Sequence, residues 1–245
     1  MTFREAVALG IDQLEHGLLT NTDYLSDKQP DQCPAGFNRN YLDLDVSSEE
    51  VQATFREMIA AGVGMTSTLA VYENFVVGRP PVEDRVLEML APEIAAAVKA
   101  ENDRYVNAPE GANIGFPPEL FQKTLEYEAA FVRAGGMLAA GVDPTGYGAA
   151  LPGFGDQRNF ELLREADFTP QQVVQIMSAN GAKLLDIYDQ TGSIEVGKLA
   201  ELVLLEGDLA ADPAVIKNVT IVFKDGVGYD SLALLESIKG QVGIH

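Results

Sequence analysis

His16 and the terminal His245 are the two histidines of a 245-residue chain. His16 closes the run GIDQLEHG, where a short apolar and acidic stretch with strand character meets a glycine. The stretch GGMLAAGVDPTG at 135–146 repeats that arrangement: glycine after a helix, a short apolar run, then one ionisable group, Asp143, before Pro144. α/β folds present catalytic side chains at the carboxyl ends of their strands. A neutral imidazole there can bind zinc, and a carboxylate can hold or deprotonate the attacking water, while the metal stabilises hydroxide and polarises the carbonyl. The spacing leaves plainer roles open. His16 is equally an imidazole that hydrogen-bonds at a strand end, and Asp143 before proline is equally an Asx-type turn.

Other constellations carry less. GYGAALPGFG lacks the lysine of a phosphate loop and the third glycine of a dinucleotide fingerprint. No GxSxG nucleophile elbow occurs. Ser178 falls inside a helix beside an Asn180–Gly181 stop and reads as structural. Cys33 is the single cysteine, which excludes an intrachain disulfide framework and a CxxC pair, and a Cys33–His16 thiol and base pair has no orienting third group.

The elements that must position His16 and Asp143 can be read from caps and periodicity. Thr2 and Glu5 form a capping box for a short helix ended by Gly10, and IDQLE at 11–15 follows as a strand. Residues 18–45 show no sustained period and read as a long excursion beyond that strand. Ser47 and Glu50 are a second capping box, before VQATFREMIAAG, whose Val51, Phe55, Met58 and Ile59 share one face. VGMTSTLAVY at 63–72 is a β-branched strand candidate. Helices are expected near 81–89, 92–105 and 118–134, the last burying Leu120, Leu125 and Phe131. The apolar run at 135–146 is the third strand, and helices at 157–166 and 170–179 follow. The alternation is βαβα with burial suited to parallel strands. The ending differs: ELVLLE at 201–206 and VTIVFK at 219–224 are strands without a substantial helix between them. Asp225–Gly226 turns the chain back into VGY, and 231–237 forms a last helix.

Composition bounds the function. Apolar residues make up 47% of the chain, enough to build a core, and 37 acidic against 17 basic residues give a formal charge of -20. Such a charge repels polyanions, so neither nucleic acid nor an anionic membrane is an expected partner. No apolar run approaches a membrane span and no signal peptide is evident, so the chain as given reads as soluble and cytoplasmic, unless an upstream segment carries a signal.

Taken in order, GIDQLEHG, GGMLAAGVDPTG, TPQQVVQIMSANGAKLL and GSIEVGKLAELVLLEGD resemble the C-terminal half of the metal-dependent amidohydrolase superfamily, in its imidazolonepropionase-like and Xaa-Pro dipeptidase-like branch. The last motif, Gly192 to Asp208, is the most specific, with Glu201 where aspartate is more familiar. The resemblance implies strands six to eight of a (β/α)8 barrel over residues 1–190, part of a small β-sandwich over 191–230, and a terminal tail or helix over 231–245. It further implies that His16 binds the second metal of binuclear members, and that Asp143 is both a metal ligand and the proton acceptor from the hydrolytic water. Val142 replaces a common threonine or serine. Thr66, Thr68 and Tyr72 would be pocket-wall residues. The implied cofactor is Zn2+ or another divalent ion, and the implied substrate is a small amide, dipeptide or cyclic C–N compound.

One departure is decisive. The family pattern needs an early HxH pair, a bridging lysine or carboxylate, and a further histidine, and none of these precedes His16. One histidine and one aspartate fall short of the three protein ligands usual for catalytic zinc, and a histidine at the chain end, His245, is not expected to supply the third. The expectation is an incomplete barrel: Met1 an internal methionine or the chain a piece of a split enzyme, inactive alone, with exposed strand edges favouring self-association or a missing N-terminal half. The competing expectation is a non-catalytic half-barrel serving as a structural or complex subunit.

Overall fold

A computed structural model of the chain describes residues 1–26, 28–29, 32, 41–109 and 111–243. Cys33 and His245 lie outside the described residues. In chain order the elements are α1 (Phe3–Ala8), β1 (Gln13–Glu15), α2 (Glu49–Ala60), β2 (Gly64–Ser67), α3 (Leu69–Glu73), α4 (Asp84–Leu87), α5 (Pro92–Val106) and α6 (Pro118–Arg133). They continue with β3 (Leu138–Ala140), α7 (Phe154–Glu165), α8 (Pro170–Gln175), α9 (Gly181–Leu184), β4 (Leu202–Leu205), β5 (Val219–Lys224), β6 (Val227–Asp230) and α10 (Ser231–Ile238). None of the described helices is long and apolar enough to cross a membrane.

Local chemistry sets the helix starts. Thr2 accepts from the Glu5 N–H at 3.0 Å while the Glu5 carboxylate accepts from the Thr2 N–H at 2.7 Å, the reciprocal box expected there. At α2 the cap is Ser48, one residue later than the sequence suggests, accepting from the Val51 N–H at 3.4 Å. Ser47 is diverted because its hydroxyl donates to the Asp45 carboxylate at 2.7 Å, a local turn that competes with the helix start.

β1, β2 and β3 form a parallel sheet in that order, with Leu14 opposite Met65 and Thr66 opposite Ala139. All four residues of β2, the middle strand, are buried. Parallel strands need a helical crossover, and α2 and α6 supply the two connections. The strand expected over 63–72 stops at Ser67, and Leu69–Glu73 turn into α3. The side chain of Asn159, fully buried on α7, explains the change: its oxygen accepts from the Ala70 N–H at 2.7 Å, satisfying a donor orphaned at a helix start. Its nitrogen donates to the Gly141 carbonyl at 2.6 Å, beyond the end of β3. Asn159→Leu is therefore expected to cost about 2–4 kcal/mol, since it orphans two backbone groups at once. Urea denaturation measures it, and a loss under about 0.5 kcal/mol would show that both groups find other partners.

The core lies between the parallel sheet and the helices. Phe55 of α2 meets Tyr127 and Phe131 of α6 edge-on at 4.9 and 5.4 Å, an arrangement favoured by ring quadrupoles. Leu120, Leu125 and Phe131, expected inside, are all 2% exposed or less. The expected stop at Asn180–Gly181 does not occur. Residues 176–180 form a π-helical turn leading straight into α9. There the buried Asn180 carboxamide donates to the Leu138 carbonyl at 2.7 Å, so asparagine ties the helix to β3 instead of ending it.

β4, β5 and β6 make a separate antiparallel sheet, with Leu204 opposite Ile221 and Val222 opposite Tyr229. Asp225 and Gly226 both hold positive φ, 50° and 78°, as a tight hairpin turn requires. Val203, Leu204, Val227 and Tyr229 are exposed on this sheet. The fold class is thus α/β, with two three-stranded sheets among the described residues.

Candidate active site

β1 and β3 flank β2, so the residues leaving their carboxyl ends emerge on the same side of the sheet. His16 follows β1 directly, its N–H donating to the Thr66 carbonyl at 3.0 Å as a last ladder bond. Asp143 lies three residues beyond β3, after Gly141 has donated to the Ser67 carbonyl at 2.9 Å. The two side chains meet with His16 Nε2 3.6 Å from Asp143 Oδ2, each about a quarter to a third exposed.

Both residues hold left-handed backbone, φ 69° for His16 and 43° for Asp143. That conformation is uncommon outside glycine, though His, Asp and Asn adopt it more than most. Three further aspartates share it, but Asp167 and Asp186 follow helix ends and Asp225 sits in a hairpin turn, where it is ordinary. At His16 and Asp143 it swings two polar side chains out of the strand direction and toward each other. Strained backbone of this kind concentrates at functional sites.

Neighbours settle the imidazole's pose. Nδ1 lies 2.8 Å from the Thr68 hydroxyl, a group able to donate or accept, and the Tyr72 ring meets the imidazole edge-on at 5.5 Å. Thr66 is otherwise engaged, bonded through its hydroxyl to the Gln13 carboxamide. Asp143 does not spend its carboxylate on an Asx turn. The turn is closed through the backbone, by the Thr145 N–H on the Asp143 carbonyl at 2.7 Å. The carboxylate thus faces His16 and solvent with accepting capacity to spare.

The arrangement brings together two atoms of a type that can ligate a metal, His16 Nε2 and an Asp143 oxygen. Among the described residues no group of three or more His, Cys, Asp or Glu side chains could hold a metal ion. The donor types suit zinc, but their number does not suffice by itself.

A cavity of about 380 Å³ lies elsewhere, beside α3 and α7, with Glu73, Glu83, Arg158, Glu161 and Lys217 in its wall. Its charges are matched among themselves: Arg158 to Glu73 at 2.7 Å, and Lys217 to Glu83 and Glu161 at 2.8 Å each. Such a cavity has little charge left to offer a ligand. One buried acid escaped sequence reading. Glu128 of α6 is 1% exposed, and a methyl group added at Gly17, next to His16, would lie 3.5 Å from its Oε1. The signal was present in the spacing, three residues from both Leu125 and Phe131 on the buried stripe.

The sequence model of the amidohydrolase family matches residues 131–228, a span that includes Asp143 but not His16. No curated protein sequence matches the chain. Among solved structures, a Xaa-Pro dipeptidase with methionine bound in its active site superimposes with a TM-score of 0.55 at 20% identity, over 94% of this chain and 42% of that one. A protein described as an amidohydrolase gives 0.55 at 20% identity, over 93% and 42%. The ochratoxinase of A. niger gives 0.52 at 19%, over 93% and 39%. The chain thus spans well under half the length of these structures, and at such identities the likeness is one of fold. Together the findings establish the resemblance to the amidohydrolase superfamily, with Xaa-Pro dipeptidase-like structures among the matches.

Proposed function

We propose that this chain is part of a metal-dependent hydrolase of amide, peptide or cyclic C–N bonds in small substrates. Its parallel sheet then corresponds to strands six to eight of a (β/α)8 barrel, and residues 191–230 to part of a β-sandwich. The observation that carries the reading is the 3.6 Å approach of His16 and Asp143, both left-handed, beyond the carboxyl ends of β1 and β3, the two parallel strands that flank β2. The family match around Asp143 and the prolidase-like fold support it.

In this reading the carboxylate of Asp143 receives a proton from the attacking water, and His16, steadied by Thr68 and Tyr72, offers Nε2 as a donor. A zinc or related divalent ion, when bound, would supply Lewis acidity. Two donors do not hold it unaided, so the remaining ligands come from outside the described residues, and the 245 residues alone hold little metal and turn over little substrate. Positioning is cooperative, and two correct groups do not retain a proportional share of the rate.

The test compares the 245-residue chain with a form lengthened by the coding sequence upstream of Met1. Each is assayed with added zinc for metal content and for turnover of Xaa-Pro dipeptides, N-acyl amino acids and cyclic amides. Stoichiometric metal and turnover are expected in the longer form only. A longer form without stoichiometric divalent metal would remove the basis of the enzyme reading. Robust turnover by the 245-residue form would refute the argument that its site is incomplete.

A further inference from the structure

The chain between β2 and β3 carries a unit built apart from the main core. Its two ends are tied together where Val76 and Phe116 form a parallel bridge, the Val77 N–H donating to the Phe116 carbonyl at 3.1 Å and the Phe116 N–H to the Phe75 carbonyl at 2.8 Å. Both bridge residues pack on the main core. Beyond the bridge, α4 and α5 bury a small core of their own around Leu90 and Val98, 4% and 1% exposed. Among the described residues, those that join this core from outside the unit are Tyr147, Ala149 and Leu151, in the loop that leaves Asp143, and Val242 of the C-terminal tail. Toward α3 and α7 the packing is thin. There the unit faces the cavity of about 380 Å³, flanked by polar contacts from Arg85 to Gln157 at 2.6 Å and from Lys217 to Glu83 at 2.8 Å.

Two fastenings hold the unit down. Tyr147 donates its hydroxyl to the Asn74 carbonyl at 2.8 Å, accepts from the buried Asn102 carboxamide of α5 at 3.0 Å, and stacks on Tyr105 with the ring planes 9° apart. The tail is the other. Residues 239–243 run beside 88–91: the Gly240 N–H donates to the Glu88 carbonyl at 2.9 Å, those of Gln241 and Val242 to the Met89 carbonyl at 3.1 and 3.0 Å, and that of Ala91 to the Val242 carbonyl at 2.9 Å. Lys239 pairs with Glu88 at 2.9 Å. A unit with its own small core, joined through one narrow bridge, is the kind of element that opens locally while the rest stays folded. We propose that α4 and α5 form a lid, hinged at the Val76–Phe116 bridge and latched by residues 239–243, whose opening bares the loop that leaves Asp143 and admits a small substrate to the His16–Asp143 pair. The hinge lies beside that pair, since Phe116 meets Tyr72 at 5.8 Å and Tyr72 meets His16 at 5.5 Å. The gating role rests on the hydrolase reading, and the opening itself does not.

Hydrogen exchange of the full chain, followed by mass spectrometry, is expected to show the α5 amides opening together, about 10-fold or more faster than those of β2 and α6. Removing residues 239–245 is expected to quicken α5 exchange by about 10- to 100-fold and to leave β2 and α6 unchanged, since the latch supplies four backbone hydrogen bonds and the packing of Val242. Val242→Ser, which keeps the whole chain, is expected to act in the same direction by about threefold or more. Exchange in α5 that keeps pace with α6 in the full chain, or that ignores both changes, overturns the lid. Uniformly faster exchange across α5, β2 and α6 overturns it as well, because the tail then supports the whole fold and latches nothing. Gating is tested by combining Leu90→Cys and Val242→Cys, a bridged pair, with Cys33→Ser, and closing the latch by oxidation. In whichever form of the protein hydrolyses the substrate panel, kcat/KM is expected to fall about 10-fold or more on oxidation and to recover on reduction. Equal turnover in the two states overturns the gating role. If no form hydrolyses any amide, the hydrolase reading and the gating role fall together, while exchange still decides whether the lid opens.

Discussion

Asp143→Asn is expected to lower kcat by about 1,000-fold or more in the form that hydrolyses amides, the range associated with losing a positioned general base. The amide is nearly isosteric with the carboxylate but cannot take a proton from water at neutral pH. The substitution leaves the backbone at ease, because asparagine adopts the left-handed conformation that Asp143 holds at φ 43°. The contact with His16 lies at 3.6 Å between partly exposed groups, so its loss contributes under about 1 kcal/mol. Unfolding midpoints of the two proteins should therefore nearly coincide while their rates diverge. Alanine is the poorer probe, since it adds backbone strain to the chemical defect. A kcat within tenfold of wild type for Asp143→Asn, in protein that folds normally, would falsify the assignment of Asp143 as proton acceptor.

Glu128→Gln is expected to stabilise the protein by about 3–5 kcal/mol at pH 9 and to change it little near pH 4. The carboxyl of Glu128 is buried in α6, and its Oε2 has no hydrogen-bond partner among the described residues. Burial pushes it up to about 8 from an ordinary 4.5, and the Ser67 hydroxyl pulls weakly the other way. A raised carboxyl means that the folded state binds a proton the unfolded chain has released. The stability it affects is fully present below pH 4.5, declines as pH rises, and is lost once pH passes 8. A glutamine side chain in its place keeps the shape and removes the titration. Asp23 is also raised by burial and contributes in the same direction, but it is common to both proteins and cancels in the comparison. Urea denaturation at pH 4, 6 and 9 measures the difference. Parallel stability profiles for the two proteins would show that Glu128 titrates normally in the folded state. The same group lies beneath the turn that carries His16, so a stable Glu128→Gln protein is also a firmer background for kinetic work at alkaline pH.

Local sequence chemistry was enough to read most elements. Capping boxes, β-branched runs and the Asp225–Gly226 turn depend on neighbours a few residues away, so α1, α6, α8, β5 and the terminal hairpin were legible along the chain. One expectation failed locally, the Ser47 cap lost to its bond with Asp45, and two others failed where a distant group intervened. The strand expected to reach residue 72 ends at Ser67 because Asn159, far along the chain, captures the Ala70 N–H. The helix expected to stop at Asn180 continues because that side chain is spent on the Leu138 carbonyl. His16 and Asp143 stood out in the sequence by type and by their places at strand exits. Their 3.6 Å approach, the left-handed backbone that aims them, and the Thr68 and Tyr72 contacts belong to the tertiary structure alone. The physical reason is that strand periodicity tells which residues leave a strand end but not which strands lie side by side. That choice is made by parallel pairing through β2 and by burial of α2 and α6 against it, long-range contacts that no local window contains.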